Sequence, residues 1–264
     1  AGAVDVVAKP SAGGSSALRG LGEELAEKIH AAAVSMTPPP AIPAAAPRAS
    51  SNASFRAAGL NPARYIIALG ASTGGTDAID RLLRQVPADY PPIAIVQHMP
   101  EGFTASFAER LNGNSALKVS EAVDGDVLSP GTAFVARGGV QMEVRSIAGK
   151  LVLKYGSSEP VNRHCPSVDV LFDSVARIAG RKSVGILLTG MGGDGAKGMV
   201  NLRQAGAITT VTQTKESCVV YGMPKVAVEL GGSMQTGTPE EIPAQVTATL
   251  KKHAQRATAS TASA

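Results

Sequence analysis

The chain lacks tryptophan and has few aromatic residues and few cysteines. Aromatic residues make up 3% of its 264 positions, and its cysteines are Cys165 and Cys218. Two isolated cysteines cannot form the ligand set of a structural zinc site, so we predict no metal centre and expect both to be small buried residues. No basic run is interleaved with aromatics, which disfavours a nucleic-acid-binding surface. No apolar run is long enough to cross a membrane, so we expect no membrane insertion.

A serine stands at the end of an apolar run in residues 65–75, YIIALGASTGG. Here Gly70 and Gly74 bracket Ser72, and this GxSxG spacing suits a sharp strand-to-helix turn that lifts a hydroxyl clear of the backbone. The apolar stripe that follows predicts a helix beginning beside that hydroxyl. The motif favours a nucleophile only slightly, because a serine or threonine at such a turn, here Ser72 or Thr73, also commonly caps a helix.

A serine nucleophile needs a base, and four histidines compete for that role. His30 and His253 lie in segments that we expect to be solvated. His98 follows the apolar run PIAIVQ and therefore ends a second predicted strand, as Ser72 ends the first. Ligand sites in open parallel α/β sheets form at the carboxyl ends of strands, so we predict His98 as the base. His164, in VNRHCPS, is the second candidate for the base. Alternatively, it binds the substrate or makes a hydrogen bond within its own loop.

A third strand end carries a carboxylate. Residues 183–196, SVGILLTGMGGDGA, combine an apolar run with a glycine-rich turn and Asp194. Glycines leave backbone amides open, as an oxyanion-binding corner requires, and Asp194 would orient His98. One alternative is that Asp194 caps the next helix. Another is a dinucleotide-binding GxGxxG turn at 190–195, which is less favoured because an aspartate inside the turn would repel a pyrophosphate.

Apolar strand-like runs alternate with amphipathic segments through most of the chain. Predicted strands lie around 65–69, 93–97, 184–189 and 207–212, and predicted helices around 74–86, 103–112, 167–180 and 195–205. This alternation predicts an α/β fold: a doubly wound, mostly parallel sheet with helices on both faces. Alternating residues about glycine turns in 132–156 predict a flanking antiparallel hairpin.

The chain order serine, histidine, aspartate excludes the α/β-hydrolase fold, in which the acid precedes the histidine. The motifs GASTGG, VQHMPEGFT, HCPSVDVLF, LLTGMGGDGA and YGMPKVA instead occur in this order between residues 64 and about 250. Together they resemble the catalytic domain of bacterial chemotaxis protein-glutamate methylesterases. The resemblance implies a triad of Ser72, His98 and Asp194. It also implies an oxyanion donor from the backbone of Met191 and a supporting role for Thr73.

The resemblance further implies the reaction and its setting. Enzymes of this family hydrolyse glutamate γ-methyl esters on the cytoplasmic helices of chemoreceptors, release methanol, and deamidate receptor glutamines without a cofactor. We therefore expect a cytoplasmic enzyme of chemotaxis adaptation. Cys165 occupies a position that is often basic in the family, which leaves local substrate contacts open. The alternative to an enzyme is a binding protein, namely a non-catalytic module that docks to the receptor. The complete set of triad residues argues against this alternative.

The amino-terminal residues have a different character. Residues 2–11, GAVDVVAKPS, resemble the last strand of a response-regulator receiver domain. This resemblance implies that Lys9 contacts a phosphorylated aspartate and that a histidine kinase is a partner. A disordered alanine-rich extension is the alternative. The following segment resembles the final helix of that domain, with an apolar stripe formed by Leu18, Leu21, Leu25 and Ile29.

Composition divides the chain into segments. Proline, alanine and serine dominate residues 36–63, which is typical of an extended, semi-stiff linker. The roughly 190 residues that follow have the usual size of one domain. We therefore predict a receiver remnant over 1–35, a linker over 36–63, a catalytic domain over 64–250 and a polar tail over 251–264.

Overall fold

The computed structural model describes residues 54–56 and 58–262, together with Gly22, Leu25, Ala26 and Ile29 of an amino-terminal helix. Leu25 and Ile29 are exposed on that helix. Outside the described residues lie the predicted receiver strand with Lys9, the stripe residues Leu18 and Leu21, and most of the predicted linker. The segment from residue 54 onwards contains the candidate site.

A parallel sheet forms the centre of this segment. Its strands and those of a separate hairpin are β1 (Ile66–Ala71), β2 (Ile93–Gln97), β3 (Lys118–Glu121), β4 (Thr132–Val135), β5 (Met142–Ile147), β6 (Lys150–Tyr155), β7 (Ser183–Leu187), β8 (Thr209–Gln213) and β9 (Gln235–Gly237). The main sheet has the order β3-β4-β2-β1-β7-β8-β9, and all its neighbouring strands are parallel. From β1 the chain adds strands first on one side and later, beginning with β7, on the other. Such a switch in direction opens a crevice at the carboxyl ends of the strands.

Helices cover both faces of the sheet. They are α1 (Gly75–Leu83), α2 (Thr104–Asn114), α3 (Val168–Ala179), α4 (Ala196–Gln204), α5 (Met223–Glu229) and α6 (Ile242–Ala262). Because side chains alternate along a strand, Ile67 and Leu69 of β1 belong to the core that includes α1, α2 and α6. Ile66 and Ala68 belong to the core on the opposite face, with α3, α4, α5 and the hairpin. This arrangement confirms the predicted fold class.

The hairpin and the sheet edges differ in detail from the prediction. The antiparallel hairpin consists of β5 and β6 alone, whereas Thr132–Val135 joins the main sheet as β4. The predictions also omit the edge strands β3 and β9. These strands are four and three residues long and carry polar side chains, so they do not show the apolar run that identifies a buried strand.

Packing begins upstream of residue 64, inside the predicted linker. Phe55 is buried and its ring meets those of Tyr65 and Tyr90 edge-on, at 6.4 Å and 5.4 Å between centroids. The Phe55 amide donates to Asp89 Oδ1 at 2.7 Å. At the other end, α6 continues to Ala262 through the predicted polar tail. The packed unit is thus longer than the predicted 64–250, while the division of the chain into four segments stays a prediction.

Candidate active site

Ser72, His98 and Asp194 follow three strands that lie side by side. Ser72 comes directly after β1 and His98 directly after β2, and Asp194 lies in the turn between β7 and α4. Strand β1 pairs in parallel with both β2 and β7, so the three carboxyl ends meet at the switch point of the sheet. The structure therefore brings all three predicted residues to one cleft of about 820 Å³.

His98 and Asp194 form a buried pair. His98 Nε2 lies 2.8 Å from Asp194 Oδ2, and the two side chains are 8% and 1% exposed. An ionised carboxylate only accepts hydrogen bonds, so Nε2 carries the proton of the neutral ring and Nδ1 is the basic nitrogen. Nδ1 is buried and has no hydrogen-bond partner in the described part of the chain. It is the atom that can accept a proton from a nucleophile.

Asp194 is held by donors from the start of α3. Its Oδ1 accepts from Asn162 Nδ2 and Ser167 Oγ, both at 2.7 Å. Its Oδ2 accepts from the backbone amide of Val168, the first residue of α3, also at 2.7 Å. The carboxylate therefore lies at the amino end of a helix, where the helix dipole favours negative charge. It does not cap the helix that follows it, because the N-cap of α4 is Gly195.

These contacts decide the charge of Asp194. Burial by itself raises the pKa of this carboxyl, but hydrogen bonding and charge interaction with His98, and the bonds from Asn162 and Ser167, outweigh burial and hold its pKa below the ordinary value. The pKa of neighbouring Asp169 is raised, because it is buried and because Asp194 is negatively charged. Asp194 is therefore an anion at neutral pH, placed to stabilise a protonated His98.

The hydroxyl of Ser72 does not cap the helix that follows it. The N-cap of α1 is Gly74, which has no side-chain capping bond, and this contradicts the capping alternative. The Ser72 amide donates to Thr189 O at 3.0 Å, and its half-buried side chain lines the same cleft as His98. No hydrogen bond joins the Ser72 hydroxyl to His98 in the described structure. Catalytic contacts of this kind often tighten only in the complex with substrate.

The two supporting residues also line the cleft. Thr73 is buried, and its carbonyl accepts a hydrogen bond from the Thr189 hydroxyl at 3.0 Å. Met191 is half-buried, and its backbone amide donates to no acceptor in the described part of the chain. An amide without an internal acceptor near the nucleophile is what an oxyanion site requires. The assignments of Met191 and Thr73 stay predictions.

Close packing explains the first glycine of the glycine-rich turn. A Cβ at Gly190 would lie 2.1 Å from Met223 Sδ and 2.8 Å from Ser72 Cβ. This glycine therefore lets the turn lie directly against the candidate nucleophile. The turn also contains the buried anion Asp194. Both observations disfavour the dinucleotide-binding alternative, which needs an open turn that attracts phosphate.

His164, the second candidate base, lies against the first. Its ring stacks on that of His98, with 3.6 Å between centroids and 13° between planes. A two-residue turn places it there: Val161 and His164 exchange backbone hydrogen bonds, and Asn162 and Arg163 have φ of 53° and 69°. The same turn brings Asn162 to Asp194. Asn162 and Ser167 were not predicted as partners of Asp194, although both lie in the segment around His164.

The two cysteines are poor alternatives to Ser72 as the nucleophile. Both cysteines are half-buried rather than fully buried, which corrects the prediction; Cys165 lines the cleft, so one side of it faces open space. Burial raises the pKa of Cys165, and it raises the pKa of Cys218 to about 12. Both thiols are therefore poor nucleophiles at neutral pH. The described residues contain no group of three or more His, Cys, Asp or Glu side chains that could hold a metal ion.

Comparison with known proteins gives a consistent result. The CheB methylesterase family model matches residues 67–246. A protein-glutamate methylesterase/protein-glutamine glutaminase of Chromohalobacter salexigens is 46% identical over 243 residues, which cover 92% of this chain and 67% of that protein. The protein of the same name from Salmonella typhimurium is 46% identical over 231 residues, covering 88% and 64%.

A solved structure extends the similarity to three dimensions. The crystal structure of the Thermotoga maritima CheB methylesterase catalytic domain matches with a TM-score of 0.68 and 37% identity, covering 69% of this chain and 97% of that one. The chain spans about two thirds of the length of the two curated relatives. The family model covers most of the chain and the relatives are 46% identical, so this chain belongs to the CheB methylesterase family.

Proposed function

We propose that this chain is a serine esterase that hydrolyses glutamate γ-methyl esters on chemoreceptors and releases methanol. We propose also that it deamidates receptor glutamines. The observation that carries this proposal is the buried His98–Asp194 pair in the cleft that Ser72 also lines, with a basic ring nitrogen that no described residue hydrogen-bonds. The relatives named above, protein-glutamate methylesterase/protein-glutamine glutaminases, support the choice of substrate.

The first half of the reaction would form an acyl-enzyme. Nδ1 of His98 takes the hydroxyl proton of Ser72, and the serine oxygen attacks the γ-carbonyl carbon of the ester. Asp194 keeps the proton on Nε2 of His98 and stabilises the positive charge that the ring acquires. When the tetrahedral intermediate collapses, the bond to the methoxy oxygen breaks and His98 returns the proton. Methanol leaves, and the glutamyl group remains on Ser72.

The second half would restore the enzyme. Water gives a proton to His98 and attacks the acyl carbon. As the bond to Ser72 breaks, His98 returns this proton to the serine oxygen, and the glutamic acid that is released loses its own proton to solvent. The backbone amide of Met191 would hold the oxyanion in both halves. A glutamine side chain passes through a similar tetrahedral intermediate, with ammonia in place of methanol as the first product. One site would thus perform both reactions.

The proposed setting is the cytoplasm, with methylated cytoplasmic helices of chemoreceptors as substrates. Among the described residues, no helix combines the length and the apolar character needed to span a membrane. A histidine kinase is a further proposed partner, on the resemblance of residues 2–11 to a receiver strand that ends in Lys9. The two-component connection thus rests on the amino-terminal segment, whereas the esterase chemistry rests on residues 64 to 250.

The test is methanol release from methyl-esterified receptor membranes. We expect release by the unmodified chain and a loss of up to about a million-fold with Ser72→Ala, because removing the serine of a triad removes the whole covalent route. Ser146→Ala is the matched control, since Ser146 is exposed on β5. A folded chain that releases no methanol, or a Ser72→Ala variant that still does, would contradict the proposal.

A further inference from the structure

A buried glutamine lies between the ends of β1 and β2, the two strands that precede Ser72 and His98. Gln97 is the last residue of β2 and directly precedes His98, and it is 3% exposed. Strand β2 pairs with β1, so that Gln97 stands opposite Ala71, the residue before Ser72. The side chain of Gln97 is therefore placed between the turn that carries the nucleophile and the turn that carries the base.

The amide of Gln97 connects these two turns. Its Nε2 donates to the backbone oxygen of Ser72 at 3.0 Å and to that of His98 at 3.0 Å. Both hydrogens of the amide group are thus used on the main chain of two catalytic residues. The neighbouring carbonyl oxygens also fix the orientation of the amide, because a flipped side chain would place its oxygen against two acceptors.

The two hydrogen bonds from Gln97 Nε2 leave the other polar atom of the amide, its oxygen, in an unfavourable environment. Gln97 Oε1 is buried and has no hydrogen-bond partner in the described part of the chain. The group also needs a glycine beside it: a Cβ at Gly75 would lie 2.1 Å from Oε1. A buried acceptor without a partner is normally avoided, so its presence here indicates a requirement for the two donor contacts on the opposite side of the amide.

We propose that Gln97 is a positioning residue that sets the separation of Ser72 and His98. It does not touch the substrate; it acts through the main chain of the nucleophile and of the base. The inference rests on the proposed esterase function, because it assigns Gln97 to the reaction of Ser72. Misplacement of reacting groups by about 1 Å can lower a rate about a hundredfold.

The direct test is Gln97→Met, which keeps an unbranched side chain but cannot donate. Gln235→Met is the matched control, because Gln235 Nε2 also donates to two oxygens, those of Thr209 and Thr249, on strand β8 and helix α6. Two rates are measured for each variant: methanol release with kcat and KM separated, and covalent labelling of Ser72 by a small fluorophosphonate. The melting temperature is recorded alongside.

For Gln97→Met we expect kcat and the labelling rate to fall together by about ten- to a hundredfold, with KM unchanged within about twofold. For Gln235→Met we expect both rates to stay unchanged. Wild-type rates in Gln97→Met would overturn the proposal, and so would equal losses in both variants, since these would report a general effect of removing a glutamine amide that donates to two oxygens.

Two further outcomes are also decisive. If the unmodified chain labels at Ser72 but releases no methanol, the proposed function fails, and the labelling rates still decide the role of Gln97. If Gln97→Met does not fold, Gln97→Glu replaces it, because this change keeps the length of the side chain but can donate to at most one of the two backbone oxygens. Slow labelling in a folded Gln97→Glu variant would support the proposal, and wild-type labelling would overturn it.

Discussion

Replacing Asp194 with asparagine tests how this site controls the tautomer of its base. The Oδ2 position faces the fixed backbone N–H of Val168 as well as His98, so it requires an acceptor. The Oδ1 position faces the NH2 group of Asn162, the hydroxyl of Ser167 and, at the longer distance of 3.4 Å, the backbone N–H of Asp169; of these donors the hydroxyl can rotate to accept. The oxygen of the new amide should therefore take the Oδ2 position, and its NH2 group should donate to Ser167.

This orientation predicts a moderate loss of activity. With an oxygen at the Oδ2 position, His98 keeps its proton on Nε2 and Nδ1 remains the base. The variant loses the charge that stabilises protonated His98, roughly 4 kcal/mol for charges about 4 Å apart at an effective dielectric constant of about 20. The neutral hydrogen bond that remains returns about 1 kcal/mol. At about 1.4 kcal/mol per tenfold, the net loss of about 3 kcal/mol corresponds to a kcat about a hundredfold lower.

The assay is methanol release by Asp194→Asn, with Asp173→Asn as the control for an aspartate that bonds Asn201 on the surface. A loss of about 10⁴, as in serine proteases where the amide forces the wrong tautomer, would refute the predicted orientation. A loss below about tenfold would refute the pairing of Asp194 with the base. Nitrogen NMR shifts of His98 in the variant report directly which ring nitrogen carries the proton.

Three further predictions concern the surroundings of the pair. His164→Phe should keep kcat, because an aromatic face still stacks on His98, whereas His164→Ala should lower kcat up to about tenfold, the value of such a stack; equal kcat in both variants would contradict this role. Phe55→Ala should lower the free energy of unfolding, measured by urea titration, by about 3–5 kcal/mol, because the ring is fully buried. At a temperature where this variant is still folded, the rate of Ser72 labelling should stay unchanged. The pKa of Asp194 is lowered in the folded state, so its contribution to stability is complete above the unfolded pKa of roughly 3.9 and is lost as the pH falls below it. The stability difference between the wild type and Asp194→Asn should therefore be constant near neutral pH and shrink in acid, and a difference that grows in acid would show the opposite sign.

The three principal site residues could be predicted because their signals are local. Ser72 and His98 each follow an apolar run of strand length, and Asp194 lies in a glycine-rich turn after a third. Parallel strands place their carboxyl ends at one edge of a sheet, so strand position alone indicates that such residues can converge. The roles of the three residues in catalysis remain predictions that the variants above test.

The contacts around these residues could not be predicted in the same way. Asn162 bonds Asp194 across 32 positions of the chain, and it does so from a turn in which two successive residues other than glycine have positive φ. Such a conformation is rare, so no local pattern indicates it. Gln97 looks in the sequence like any polar residue at the end of a strand; the direction of its amide depends on the pairing of β1 with β2.

The sequence by itself determined the fold class, the alternation of strands and helices, and the three strand ends at which chemistry is expected. These features depend on hydrophobic periodicity and on glycine turns, which act over a few residues. Only the tertiary structure decided that Asp194 bonds Nε2 of His98 and leaves Nδ1 without a partner among the described residues, that Asp194 lies at the amino end of α3, and that Phe55 belongs to the core. Each of these outcomes depends on groups far apart in the chain, whose distances are fixed only when the sheet and its two helical layers pack together.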